Sequence, residues 1–291
     1  MGTVIFLKFG DVIKHVGNPP SPVKLKISVL VFAIAFLSSI LVAVMLYFHD
    51  QLGWIMNMFG VYILVILGRI LYESNDRERK NIIVLISFAA FFMLIYAIEM
   101  HLGSLINLFT DRHIDRVIFG YEISPASLQS INPLAVLIFT PFIAMIFVKN
   151  MPFLRFALGI VSMILCFLIL HIGCINHNEI FQSNIACLVI AMIFMSLAEI
   201  FVTPVLFSMC TTLAPKRIQG FMMGVIMLTL SYATLFGGGI AKLIAVPKNT
   251  SAAVSLTIYK DGFSNIVYLY IVGFILFIMI IPLLKKLLKY S

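Results

Sequence analysis

Apolar residues run along this chain in eight stretches, each near the roughly 20 residues that carry a helix across a bilayer. They cover about 25–48, 54–72, 81–109, 125–148, 156–175, 185–212, 220–246 and 264–288, with polar or charged residues between them. None alternates with period two, as a barrel strand would. Hydrocarbon leaves no backbone group free to go without a partner, so each run is expected to be a helix. Residues 1–24 are mixed in character and end in GNPPSP (Gly17–Pro22), which cannot be helix interior. The expected fold is an all-α polytopic membrane protein of eight transmembrane helices.

Composition strengthens that picture. Hydrophobic residues make up 62% of the 291 residues and charged ones 11%, against roughly a quarter charged in soluble domains. The net charge of +8 suggests nucleic acid at first sight. The basic residues stand singly or in pairs between apolar runs, however, with no patch interleaved with aromatics, so no nucleic-acid partner is expected. The four cysteines (Cys166, Cys174, Cys187, Cys210) lie in or beside apolar runs without a CxxC pair and read as packing residues. No cleavable signal peptide is evident, since Lys8, Asp11 and Lys14 interrupt the first apolar patch. With the N-terminus inside, fifteen basic residues fall on inner segments. Five (Arg112, Arg116, Lys242, Lys248 and Lys260) fall on outer ones. That bias predicts both termini in the cytoplasm.

The first two spans carry no ionisable residue at their centres. They are joined to the rest by a charged hinge, ESNDRERK (Glu73–Lys80). The other six divide into two triples, 81–175 and 185–288, each opening with a helix that bears one deep glutamate, as an inverted-repeat transporter half would. Of the 12 acidic residues, Glu99 and Glu199 alone sit deep in a span. Tyr96, Glu99, Gly103 and Asn107 share one face at 100° per residue, and Ser196, Glu199 and Thr203 form a second stripe just before Pro204. Gln129, Asn132 and Thr140 make a third, and Gly224, Ser231, Thr234 and Gly238 a fourth.

Stripes of Ser, Thr and Gly more often mark close helix packing than a substrate path, and Asn132 on its own reads equally as an interhelical hydrogen-bond donor. A deep glutamate differs, because a structural role calls for a cation at its depth, and no Lys or Arg is expected there. Such a carboxyl group is suited to binding and releasing a proton. The six histidines form no HxxH or HExxH pair, so no metal is expected, and His101 reads as a lining or packing residue. No GxSxG, nucleophile–base pair or GxxxxGK loop is present, which argues against an enzyme and against nucleotide binding. Gly237–Gly238–Gly239 reads as a flexible or closely packed piece of helix.

Three segments carry a resemblance. SLINLFTDRHIDR (Ser104–Arg116) is similar to the end of the seventh core helix and the following loop of the proton-dependent oligopeptide transporters, within the major facilitator superfamily. LQSINP (Leu128–Pro133) resembles their phenylalanine–QS–x–NP motif, with leucine for phenylalanine. AEIFVTPVLFSMCTTLAPKRIQGFMMG (Ala198–Gly224) resembles their GE-x4-P-x-GLS…LAP…G-x-MMG signature, with Ala198 and Leu206 in place of two glycines. The resemblance runs from about Val16 to Pro247 and is to the family's C-terminal half. Ile226 stands where the family has a tryptophan, and an ungapped alignment through Leu108–Arg112 places the family's seventh-helix glutamate at Met100, one residue after Glu99.

The resemblance implies a cytoplasmic segment and the tail of a missing helix at 1–24. It implies two linker helices with their hinge at 25–80, and a six-helix major-facilitator C-terminal bundle at 81–291. It implies proton-coupled symport of di- and tripeptides by alternating access across the bacterial inner membrane. Glu99 would bind the coupled proton and Glu199 the peptide's amino terminus. Asn132 would hydrogen-bond the peptide, with Gln129, Tyr96, Ser196 and Ser208 completing the substrate site. Protons would be the coupling ion and no cofactor is expected. The expected partners are small peptides, the lipid bilayer and a separate N-terminal six-helix half, which makes this chain a fragment, a split-gene product or a degenerate gene. The alternatives are a non-transporting scaffold or relic, and a major facilitator carrying another small nitrogenous solute; an anion such as nitrate suits two carboxylates poorly.

Overall fold

Capping residues and buried faces, more than hydropathy, decide where each helix begins in the computed structural model, which describes residues 25–47, 52–146, 151–247 and 250–289. The helices are α1 (Leu25–Tyr47), α2 (Leu52–Glu73), α3 (Asp76–Glu99), α4 (Asn107–His113), α5 (Pro125–Gln129), α6 (Ile131–Ile146), α7 (Pro152–Ile175), α8 (Ile185–Leu213), α9 (Gln219–Leu243) and α10 (Ala252–Lys289). A π-turn, Leu102–Ile106, leads from α3 into α4. Short two-residue strands occupy the loops between α4 and α5 and before α8. Among the described residues, 7 helical spans are long and apolar enough to cross a membrane, and α1 is a further apolar helix of 23 residues. These are the eight expected helices. The expectations for residues 1–24, and the basic residues Lys149 and Lys248 used for orientation, lie outside the described residues.

The chain divides into the compact units Met1–Tyr62 and Ile63–Ser291. In the first, the Ser38 and Ser39 hydroxyls donate back to the Ala35 carbonyl at 2.8 and 2.9 Å, so polar atoms of an apolar helix are satisfied within it. The boundary falls inside α2 because Ile63, Leu67, Ile70 and Leu71 belong to the core of the second unit.

In the second unit α7 lies along α8, α10 along α7, and α9 along α3, while α8 also meets α3 and α6. Phe88, Phe156 and Phe277 cross edge-on or stacked at the centre, the Phe88 and Phe156 rings 4.6 Å apart. α3 begins before its apolar run because the Asn75 side chain accepts from the Glu78 amide at 2.9 Å, and Asp76 and Glu78 suit a helix N-terminus. α10 begins twelve residues before its apolar run, at Ala252 rather than 264. There Ser255, Leu256, Tyr259 and Phe263 bury one face at helical spacing, which Lys260 and Asp261 hide from a hydropathy reading. His113 fixes this end of the bundle. Its Nδ1–H donates to the Phe181 carbonyl at 3.0 Å, and its Nε2 meets the Ser255 hydroxyl at 2.7 Å.

The triple glycine is a packing device at one position. A Cβ on Gly237 would stand 1.6 Å from the Ala97 carbonyl oxygen of α3, whereas one on Gly239 would meet nothing within 4 Å. Gly237→Ala is therefore expected to force α9 off α3 and cost about 2–3 kcal/mol. Gly239→Ala should leave stability near that of the parent. Thermal unfolding of the purified chain checks this, and equal melting temperatures for the two variants would refute the close approach.

Candidate functional site

α8 is the helix on which the polar groups converge. Asn184 caps its start, its side chain accepting from the Ala186 amide at 2.8 Å, and Pro204 lies inside it. Pro204 lacks the N–H that would bond the carbonyl of Ile200, so the helix runs on through Pro204 but its hydrogen-bond ladder misses one bond, at the residue after Glu199.

Four contacts leave this stretch for neighbouring helices. The Glu199 carboxyl meets that of Glu99 on α3, side chain to side chain. One turn on, the Tyr96 and Thr203 hydroxyls are 2.5 Å apart. One turn before, the buried Ser196 hydroxyl reaches the Asn132 side chain and donates to backbone carbonyls, 3.1 Å from Asn132 O and 2.9 Å from Met192 O. The fourth contact is from α7, where the Arg155 guanidinium donates to the Ile200 carbonyl at 3.1 Å. α3, α6 and α7 are thus tied to one segment of α8, Ser196–Thr203, about two turns long.

Glu99 is 7% exposed, and its Oε2 has no hydrogen-bond partner. Two carboxyl groups in contact away from water accommodate two negative charges only when a cation, either a proton or an ammonium group, joins them. Such a pair can receive an amine, hold a proton, or exchange one for the other.

The structure brings Glu99, Glu199, Tyr96, Ser196 and Asn132 together. Gln129 ends α5 one turn before Asn132 and is half-buried, with the helix broken between them at Ser130. Ser208 is exposed and lies nine residues past Glu199, half a turn round α8. Ile226, at the family's tryptophan position, is buried in the core.

The expected face Tyr96–Glu99–Gly103–Asn107 does not run through as one α-helical stripe, because the π-turn begins at Leu102. A π-turn takes up one residue more than an α-turn. That is the size and direction of the offset between Glu99 and the family's glutamate position. Glu99 faces the site, while Met100 is 41% exposed. His101 sits at the entry to the π-turn, its Nε2 2.8 Å from the Thr234 carbonyl of α9.

The expectation that no Lys or Arg reaches the depth of the glutamates is corrected by Arg155, whose guanidinium meets the carbonyl of the residue after Glu199; it escapes a sequence reading because it stands in the first turn of α7 and resembles an end-of-helix cation. The signal is Pro204, whose missing N–H requires a donor for Ile200 from another helix. Among the described residues no cluster of His, Cys, Asp and Glu could hold a metal ion.

With 7 spans of membrane-crossing length among the described residues, the chain has the architecture of a multi-pass integral membrane protein. Superposed on solved structures, the chain matches a crystal structure of tetrameric PepTSo2 with a TM-score of 0.82 at 22% identity, over 98% of this chain and 61% of that one. It matches a mutant of a peptide transporter POT in complex with alafosfalin with a TM-score of 0.69 at 21% identity, over 98% and 59%.

Residues 1–257 match the model of the POT family, and the chain belongs to that family. It is 27% identical over 290 residues to dipeptide and tripeptide permease A of Erwinia pyrifoliae, covering 97% of this chain and 59% of the permease. To the permease of the same name from Escherichia coli K12 it is 29% identical over 210 residues, covering 70% and 42%. The relatives are permeases rather than enzymes, and the chain spans little more than half the length of the first of them.

Proposed function

We propose that this chain supplies the C-terminal half of a proton-coupled symporter of di- and tripeptides. It works by alternating access against an N-terminal six-helix half in the bacterial inner membrane, with both termini in the cytoplasm. The observation that carries the reading is the contact between Glu99 and Glu199 on two different helices. Glu199, one turn before Pro204 on α8, pairs with the peptide ammonium, and Glu99 exchanges the coupled proton. Asn132 and Ser196 offer hydrogen bonds to the peptide backbone from one side, and Tyr96 with Thr203 lines the other. Gln129 and Ser208 stand further out. No cofactor is needed beyond the proton, and the peptide carboxylate is left for cations of the N-terminal half.

The test is uptake of a labelled dipeptide by cells that express this chain together with a six-helix N-terminal half of a family member. The expected result is accumulation above the external concentration, stronger at acid than at neutral external pH, and absent when either half is expressed alone. Peptide binding without accumulation would favour the scaffold reading. Accumulation indifferent to pH would remove the proton from the mechanism.

A further inference from the structure

We propose that Arg155 is a positioning residue for Glu199. Its guanidinium replaces the backbone N–H that Pro204 removes from α8, and so holds the Glu199 turn in one geometry. In an unbroken helix the Ile200 carbonyl would accept from the amide of residue 204; proline has none, and its ring pushes that carbonyl outward. An unpaired carbonyl in a membrane interior carries a large cost. The Arg155 side chain of α7 supplies the donor at 3.1 Å.

The approach of α7 that makes this possible is built in one turn further along. A Cβ on Gly159 would stand 2.3 Å from Val202 Cγ2, so glycine is required where α7 crosses the Ala198–Val202 segment. Gly159 and Arg155, four residues apart on one face of α7, therefore address the same turn of α8. Gly159 sets the distance and Arg155 fixes the broken hydrogen bond. Ile200 adjoins Glu199 in sequence, so a rotation of the Ile200 peptide unit re-aims the Glu199 side chain. The carboxyl that meets Glu99 is then held by a helix that contributes no side chain to the carboxyl pair itself.

The inference rests on the reading of Glu199 as the peptide's ammonium site, and its test is chosen to stand apart from that reading. The infrared stretch of the Glu199 carboxyl group, as C=O when protonated or as carboxylate when ionised, is recorded on the full chain in lipid nanodiscs and identified as the band lost in Glu199→Gln. Arg155→Ala is expected to shift and broaden that band. In a Pro204→Ala background, where residue 204 again has an N–H for Ile200, the same Arg155→Ala change is expected to leave the band where Pro204→Ala alone puts it. Arg155→Lys, which keeps a donor on a shorter reach, should shift it less than Arg155→Ala.

In the paired half-transporter assay, Arg155→Ala should weaken dipeptide half-saturation by roughly tenfold, as expected for one lost buried hydrogen bond. That loss should also disappear in the Pro204→Ala background. Equal band shifts in the proline and alanine backgrounds would overturn the proposal, since Arg155 would then act through its charge or packing. If Arg155→Ala alone does not fold, the double variant must fold and reproduce the Pro204→Ala spectrum; a double variant that also fails to fold overturns it. Absent peptide uptake with the infrared coupling intact would instead sink the peptide reading and leave this one standing.

Discussion

Glu199→Gln is expected to abolish accumulation of dipeptide by the reconstituted pair of halves while leaving the chain in the membrane at parent levels. The amide keeps the shape of the carboxyl but cannot carry its charge. A peptide ammonium seated beside that neutral amide would be desolvated without a counter-charge, and removing one partner of a buried ion pair costs about 3–5 kcal/mol. That corresponds to a loss of affinity of roughly two to four orders of magnitude, on the usual conversion of free energy to binding constant. Uptake measured at substrate concentrations that half-saturate the parent should fall to background. Parent-like accumulation by this variant would show that the peptide's amino terminus is held elsewhere, and would separate the α8 break from substrate recognition.

Glu99→Gln should give a different failure. Glutamine resembles a permanently protonated glutamate, so it satisfies its neighbour Glu199 but cannot release a proton. Concentrative uptake should vanish, and the ratio of uptake at acid to neutral external pH should fall to near unity. Exchange of labelled for unlabelled dipeptide across the membrane, which needs no net proton movement, should persist. An unchanged pH profile would take Glu99 out of the coupling step, and loss of exchange as well would assign it to binding. The structural basis is that Glu99 is buried against α8 with an unpartnered carboxyl oxygen, a position from which its protonation state is felt by Glu199 directly.

Much of the fold was legible in the chain because the bilayer imposes a simple rule. Runs of about 20 apolar residues must be helices, and the eight runs are eight helices. The edges were less legible where a helix continues into charged residues. α3 starts under an Asn75 cap, and the first three turns of α10 bury one face and expose another, so neither announces itself as uniformly apolar. Within the site, the two deep glutamates and the stripe before Pro204 stood out because polar atoms in hydrocarbon are costly and few.

What could not be read was which polar groups meet. Stripes on separate helices give no partner, so neither the pairing of Tyr96 with Thr203 nor that of Ser196 with Asn132 was available before the helices were packed. The π-turn after Glu99 was hidden for a related reason. A register change of one residue leaves hydropathy untouched, yet it decides whether Glu99 or Met100 faces α8.

The sequence by itself therefore determined the membrane class, the eight helices, the two deep carboxyl groups and the proline that removes a hydrogen bond from α8. These follow from local chemistry: burial cost, backbone hydrogen bonding and the missing proline N–H. Tertiary structure alone decided that Glu99 and Glu199 touch and that Gly159 brings α7 close enough for Arg155 to reach Ile200. Each of these depends on the rotation and approach of helices far apart in the chain, which close packing fixes to within an ångström and local sequence does not encode.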